Sequence, residues 1–156
     1  MLPEYLINIL AFLSCYFAME GVAWFTHKYI MHGPLWNLHK SHHSEKHGVF
    51  EKNDFFFLIY ALIAMVLMYF GWDGLDYRFW MGLGVTAYGF TYFLLHDIFI
   101  HNRLKLFRKT KSVYFEAMRR AHKMHHKHLG KENGEEFGLL LFNPKYIRQF
   151  RKELNK

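Results

Sequence analysis

The chain has 156 residues, 52% hydrophobic and 20% aromatic, with a formal net charge of +7 when histidine is neutral. That length makes one domain, residues 1–156, the default. Its single cysteine, Cys15, excludes an intrachain disulfide framework and a cysteine-based metal site. The mean hydropathy of −0.08 hides a split. Apolar residues gather in blocks, and lysines and arginines lie between and after them.

The first block, residues 5–25, is about long enough to cross a bilayer as a helix. No basic stretch precedes it and it runs directly into His27, so it reads as a span rather than a cleaved leader. Cys15 within it reads as a small buried hydrophobe. The block carries one charge, Glu20, and an acidic group inside a span marks a candidate functional position. Glu20 lies seven residues before His27, on the same helical face but about two turns away, too far to bond it. It supports another ligand, lines a substrate path or is held by an internal partner.

His27 to His43, HKYIMHGPLWNLHKSHH, holds five histidines. They are spaced H-x₄-H (His27, His32) and then H-x₂-H-H (His39, His42, His43). Positions i, i+3 and i+4 lie within about 100° on one helical face. Three imidazoles there can point at a common spot, and neutral imidazole is the commonest protein metal ligand. The i, i+5 pair is roughly 140° apart on an ideal helix, so it needs a helix end, a π-bulge or a wide site between two metals. Gly33-Pro34 ends a helix there. Lys28, Lys40, Lys46 and Lys52 make residues 27–54 basic, and His47, outside the spacing, reads as an exposed loop residue.

Asp54 precedes residues 55–72, an uncharged block and the clearest span. Residues 71–78 form a turn with Gly71, Gly74 and two aspartates. The third block, 79–100, is rich in small residues: Gly82, Gly84, Thr86, Ala87 and Gly89. These let helices approach closely, or leave space for a bulky apolar ligand. The block ends in a second H-x₄-H pair, His96 and His101. HKMHH (His122, His125, His126) repeats the second spacing on a helix expected over 116–129 and ended by Gly130. Ten of the twelve histidines fall in the two copies, too many for one ion; two ions is the natural count. Residues 138–144 form a short apolar piece, docked on the histidine helices or on the membrane surface. The last twelve residues are a basic tail.

Both histidine sets follow odd-numbered spans and therefore face one side. The lysine- and arginine-rich segments lie there too, which makes it the cytoplasmic side. The expected fold is an all-α integral membrane helical bundle of three or four transmembrane helices, three by count and a fourth if one stretch bends or splits, with a cytoplasmic histidine-rich di-metal cap. Many neutral histidines beside lipid serve an apolar substrate or move metal. Histidine suits iron, zinc, copper or nickel alike. A lipid without ester or phosphate offers only C–H and C=C bonds, which require O₂ and a redox metal, and this favours iron. Transport sites usually sit near the bilayer midplane. The histidines here lie at span ends and the middle span has none, which weighs against a metal transporter.

The ordered set HKYIMH, HKSHH, HDIFIH and HKMHH, with GVFEKND after the second box, closely resembles the bacterial β-carotene hydroxylase family. These are membrane di-iron carotenoid 3-hydroxylases of the fatty acid hydroxylase/sterol desaturase superfamily. The match runs from about Met19 to Phe142. The histidine framework identifies the superfamily. The compact length, the close first two boxes and the TAYGFTYFLLHD-to-HNR segment point to the carotenoid branch. The resemblance implies ten metal ligands: His27, His32, His39, His42, His43, His96, His101, His122, His125 and His126. Glu51, Asp54 and Asp97 match nearby acidic positions, which implies partners that orient imidazoles; Asp54 is also placed to cap a helix.

The same resemblance implies hydroxylation at C3 of each β-ionone ring, taking β-carotene through β-cryptoxanthin to zeaxanthin in the bacterial cytoplasmic membrane. Two irons, O₂ and two external electrons per turnover are implied. The sequence has no G-x-G-x-x-G fingerprint and no cysteine cluster. The electrons are therefore expected from a separate donor such as ferredoxin, with the basic face as its docking surface. Membrane lipid is an expected partner and nucleic acid is not. Histidine spacing leaves open a fatty-acyl or sterol hydroxylase, a desaturase or a carotenoid ketolase built on the same site.

Overall fold

The computed structural model describes residues 2–43, 50–104, 106 and 109–155. His47, Lys46, Lys105 and Arg108 lie outside the described residues. Every regular element among those described is helical. Helix α1 (Glu4–Phe25) runs without a break into a π-helical turn, Thr26–Met31. A short helix α2 (Trp36–His39) follows, tightened at its end into a 3₁₀ turn, Lys40–His43. Helix α3 is Asp54–Phe70, and α4 (Tyr77–Tyr92) again continues into a π-helical segment, Phe93–Ile100. Two amphipathic helices close the chain, α5 (Val113–Lys127) and α6 (Lys145–Leu154).

Three apolar helices match the three apolar blocks. With their π-helical ends, the first and third are 28 and 24 residues long, enough to cross a bilayer. Helix α3, at 17 residues, spans about 25 Å at 1.5 Å per residue, the lower end of the range. Among the described residues no further apolar helix supplies a fourth span. The outward faces are apolar: Leu10 and Phe17 on α1, and Phe55, Leu58, Leu62, Met65 and Phe70 on α3, are all exposed. A continuous apolar surface on this scale is incompatible with water and fits lipid. The protein is a membrane helical bundle.

Helix α4 is the centre of the bundle and packs against both α1 and α3. Its small residues are the reason. A Cβ on Gly82 would fall 2.6 Å from the Ala64 carbonyl oxygen of α3. One on Gly84 would fall 2.5 Å from the Phe12 carbonyl oxygen of α1. The small-residue stretch thus serves helix contact rather than a ligand cavity. Met19, Ala64, Val85 and Tyr88 form the buried core where the three helices meet, with Cys15 packed at its edge. Polar pairs stitch the same seam: Tyr16 with Thr91 at 3.1 Å, and Thr26 with Tyr60.

The α3–α4 turn lies at the far end from the histidines. Gly74 there takes a φ of 83°, and Asp76 caps α4 by accepting from the Arg78 backbone N–H at 2.9 Å. At the histidine end, α6 seats Tyr146 on the small residues Ala117 and Ala121 of α5. Between α5 and α6 the chain has no regular helix. This strap, residues 128–144, lies against the histidine-bearing helices. Leu139 is buried with Phe99, Ile100 and Met118, so the apolar piece at 138–144 docks on those helices.

Candidate metal centre

The two H-x₄-H pairs sit in the two π-helical segments. A π turn closes an i→i+5 hydrogen bond, so it stacks residues five apart that an α-helix would splay. His32 N–H donates to the His27 carbonyl at 3.0 Å, and His101 N–H to the His96 carbonyl at 2.9 Å. Of the options the spacing left open, the π-bulge is the one adopted.

All ten boxed histidines converge on one region, in two adjoining groups. In cluster A, ring nitrogens of His27, His32, His39, His43 and His125 lie within 4.8 Å of one another. In cluster B, those of His42, His101, His122 and His126 do the same. His96 joins cluster B, its Nε2 3.2 Å from His42 Nε2. The clusters touch: the His43 and His126 rings stack at 4.6 Å, and the His39 and His42 rings lie 5.4 Å apart.

The H-x₂-H-H boxes are exchanged between the clusters. His39 and His43 face cluster A while His42, between them, faces cluster B. His122 and His126 face cluster B while His125 faces cluster A. Each cluster therefore takes one whole H-x₄-H pair, an i, i+4 pair from one box, and the odd histidine from the other.

The hydrogen bonds on the outer nitrogens decide what the inner ones can do. His27 Nδ1 donates to the Phe137 carbonyl at 3.0 Å, His32 Nδ1 to Lys131 at 3.0 Å, His43 Nδ1 to His128 at 3.0 Å and His125 Nδ1 to Glu135 at 2.8 Å. His39 Nδ1 donates to Asn53 Oδ1 at 2.7 Å. A neutral imidazole with its proton on Nδ1 carries a bare lone pair on Nε2. Yet the Nε2 atoms of His27 and His43 each lie 3.1 Å from that of His39. The Nε2 atoms of His32 and His125 are buried without a hydrogen-bond partner. Converging lone pairs repel unless a cation sits among them, so the donor set fits a bound metal ion.

Cluster B shows the same crowding, with His122 Nε2 3.0 Å from His101 Nε2 and 2.8 Å from His126 Nε2. Burial, then repulsion from neighbouring imidazoles, lowers the pKa of His42, His122 and His126. Burial lowers His43 to about 4 and His125 to about 3. These rings are neutral at pH 7, the state in which imidazole binds metal.

The acidic residues divide. Glu51 accepts from His42 Nδ1 at 3.0 Å, and Asp97 Oδ2 lies 3.5 Å from His96 Nδ1. Asp54 touches no histidine in the described contacts: it begins α3, accepts from the Glu51 backbone N–H at 3.0 Å and pairs with Arg103 at 2.9 Å. Arg103 also pairs with Glu51 at 3.3 Å and Asp97 at 3.2 Å. One guanidinium thus gathers all three carboxylates beside cluster B. Sequence reasoning named the acids but gave no role to Arg103 or Asn53. The strap carbonyls carry no side-chain signature at all. His128 contributes its carbonyl, which receives His43 Nδ1. A cavity of about 580 Å³ lined by Met65, Met68, Tyr69, Trp72 and Asp73 lies at the opposite end of α3, away from the histidines.

A membrane helical bundle with this histidine framework defines a class, and the fatty acid hydroxylase family model matches residues 12–143. The β-carotene hydroxylase of Pseudescherichia vulneris is 41% identical over 86% of this chain and 77% of its own length. That of Pantoea ananas is 39% identical over 88% of this chain and 78% of its own. That of a Paracoccus species is 38% identical over 88% and 85%. No solved structure matches the chain. The chain belongs to the fatty acid hydroxylase family, among its β-carotene hydroxylases.

Proposed function

We propose that this chain is an O₂-dependent di-iron β-carotene 3-hydroxylase, a single membrane domain over residues 1–156, acting on C3 of each β-ionone ring to give β-cryptoxanthin and then zeaxanthin. The observation that carries the reading is the pair of adjoining imidazole clusters at one end of the apolar bundle, in a chain whose relatives are named β-carotene hydroxylases. When bound, a pair of redox-active metal ions supplies the O₂ reduction that an unactivated C–H bond requires.

The remaining steps belong to the chain. His27, His32, His39, His43 and His125 would hold one ion, and His42, His96, His101, His122 and His126 the other. Outer hydrogen bonds fix the tautomer and aim of His27, His32, His39, His42, His43 and His125. The exposed apolar helix faces keep the site in contact with the membrane, where a hydrocarbon substrate dissolves. Insertion of one oxygen atom into C–H leaves the other as water and consumes two electrons and two protons. The electrons come from a separate donor of the ferredoxin type. Arg120, Lys123 and Lys127 of α5, with Arg148 and Arg151 of α6, offer it a basic face. By the positive-inside rule that face, and the histidines with it, lie on the cytoplasmic side of a bacterial inner membrane.

Expression in bacteria that accumulate β-carotene, followed by pigment chromatography, tests the reading. Mono- and dihydroxylated carotenoids are expected. Unchanged β-carotene, with folded protein and donor present, overturns the substrate; a ketone product overturns the reaction.

A further inference from the structure

Glu20 is the one charged residue within the first apolar block, residues 5–25, and it is buried at 6% exposure. Three donors converge on it. Its Oε2 accepts from the Tyr88 hydroxyl at 2.7 Å. Its Oε1 accepts from the backbone N–H groups of both Leu139 and Leu141 at 2.9 Å. The last two belong to the strap, more than a hundred residues further along the chain. A carboxylate in hydrocarbon is costly unless its acceptor sites are filled. Here they are filled by the segment that also serves the histidines.

The strap's register relative to the clusters follows from that grip. Phe137, two residues before Leu139, presents its carbonyl to His27 and packs its ring 5.4 Å from His27, 5.2 Å from His32 and 5.1 Å from His125. Upstream, the carbonyls of Glu135, Lys131 and His128 receive His125, His32 and His43. Four of the five rings of cluster A thus take their outer acceptor from the strap, while the hydrogen bonds described for cluster B draw none from it. The turn at the grip is tight: a Cβ on Gly138 would fall 2.4 Å from the Leu141 carbonyl oxygen and 3.1 Å from Glu20 Oε1.

We propose that Glu20 is a positioning residue for cluster A alone: by clamping the Leu139 and Leu141 amides it fixes the strap whose carbonyls aim His27, His32, His43 and His125. The proposal rests on the metal-binding reading of the histidines and extends it to a residue outside the boxes.

The test is a cobalt(II) titration of the full chain, purified in detergent and stripped of metal, read by visible absorption and by bound-metal stoichiometry. Wild type is expected to take two equivalents. Glu20→Ala is expected to weaken one of them by about 10–100-fold and spare the other, the usual scale for losing an outer hydrogen-bond partner. It should also speed amide exchange at Leu139 and Leu141. Glu20→Gln keeps a carbonyl oxygen for both amides and is expected to restore two tight equivalents. Gly138→Ala, which crowds the clamp from the strap side, should reproduce Glu20→Ala. His101→Ala should remove the other equivalent.

Two tight equivalents in Glu20→Ala, equal weakening of both, or a Glu20→Gln as defective as Glu20→Ala would each overturn the proposal. Should Glu20→Ala lose its helical circular dichroism, Gly138→Ala decides, with one weakened equivalent in favour and two tight ones against. A wild type that binds no cobalt removes the metal reading itself, and this proposal with it.

Discussion

Clusters A and B contain the same number of imidazoles, drawn from boxes of the same spacing, but they are braced by different means. Cluster A leans on backbone: four carbonyls of the strap and one side chain, Asn53, receive its Nδ1 protons. Cluster B leans on charge: Glu51 and Asp97 flank His42 and His96, and Arg103 holds both acids together with Asp54. A carbonyl acceptor leaves the imidazole–metal unit with the full charge of the ion. A carboxylate acceptor offsets part of that charge and makes the ring a stronger base. Two ions bound here would be geometrically alike and electrostatically unlike. Side-chain substitution strips the bracing from cluster B directly, whereas in cluster A, whose carbonyls no mutation removes, it acts through Asn53 or through the grip that holds the strap.

The comparison can be broken outright at the rings. His39→Ala or His125→Ala opens a gap in cluster A. Either is expected to abolish hydroxylation and cost more than the ~10–100-fold in metal affinity that loss of an outer partner costs. Bound-metal analysis and the pigment assay check both, and retention of two ions with full activity would remove these rings from the proposed ligand set.

Acid acts on both clusters, because burial lowers the pKa of His42, His122 and His126 in cluster B as it does that of His43 and His125 in cluster A. His43 at about 4 and His125 at about 3 lie below the ordinary histidine value of about 6.5. In the metal-free protein the unfolded chain therefore binds protons that the native one refuses. Their contribution to stability is complete above about pH 6.5 and declines as the pH falls toward the folded values. Thermal melts of metal-free protein from pH 7.5 to 4.5 should show a falling Tm; a flat or rising profile would contradict the burial of these rings.

Single outer partners sharpen the contrast. Glu51→Leu is expected to weaken the cluster B ion by about 10–100-fold and leave cluster A unchanged. Asn53→Asp would supply cluster A with the carboxylate it lacks and bring its ion closer in behaviour to that of cluster B, which cobalt spectra would report. Equal weakening of both ions by Glu51→Leu would mean the clusters are braced as one unit. The smallest effect is expected from His128→Ala. Only the backbone carbonyl of His128 is used, and a change away from buried contacts stays within about 0.5 kcal/mol. A loss of activity comparable to that of His39→Ala would refute the distinction between ring and carbonyl.

The spans and the boxes were legible because both are periodic. Apolar runs announced α1, α3 and α4, and five-residue histidine spacing left a helix end, a π-bulge or a wide two-metal site, of which the π segments are the one adopted. The exchange of His42 and His125 between clusters was not legible. Residues i, i+3 and i+4 share a helical face, and only the placement of the partner helix decides which ring crosses over. Glu51 and Asp97 could be named as acids near boxes, whereas Asn53 is one polar residue among many. The strap escaped for a stronger reason: a carbonyl acceptor belongs to every residue, so the sequence of 128–137 carries no mark of it. Glu20 was conspicuous as a charge in a span, but its partners at Leu139 and Leu141 are backbone amides more than a hundred residues away.

That distance along the chain has a consequence for how the protein is made. Chains emerge from the ribosome N-terminal end first, and early segments fold before late ones exist. The first H-x₄-H pair is made with α1, while its carbonyl acceptors and the amides that grip Glu20 are synthesised about a hundred residues later. Until then four of cluster A's rings lack their outer acceptors and Glu20 Oε1 lacks its two amide donors. Assembly of this centre therefore waits on residues 128–141, which close over helices inserted before them.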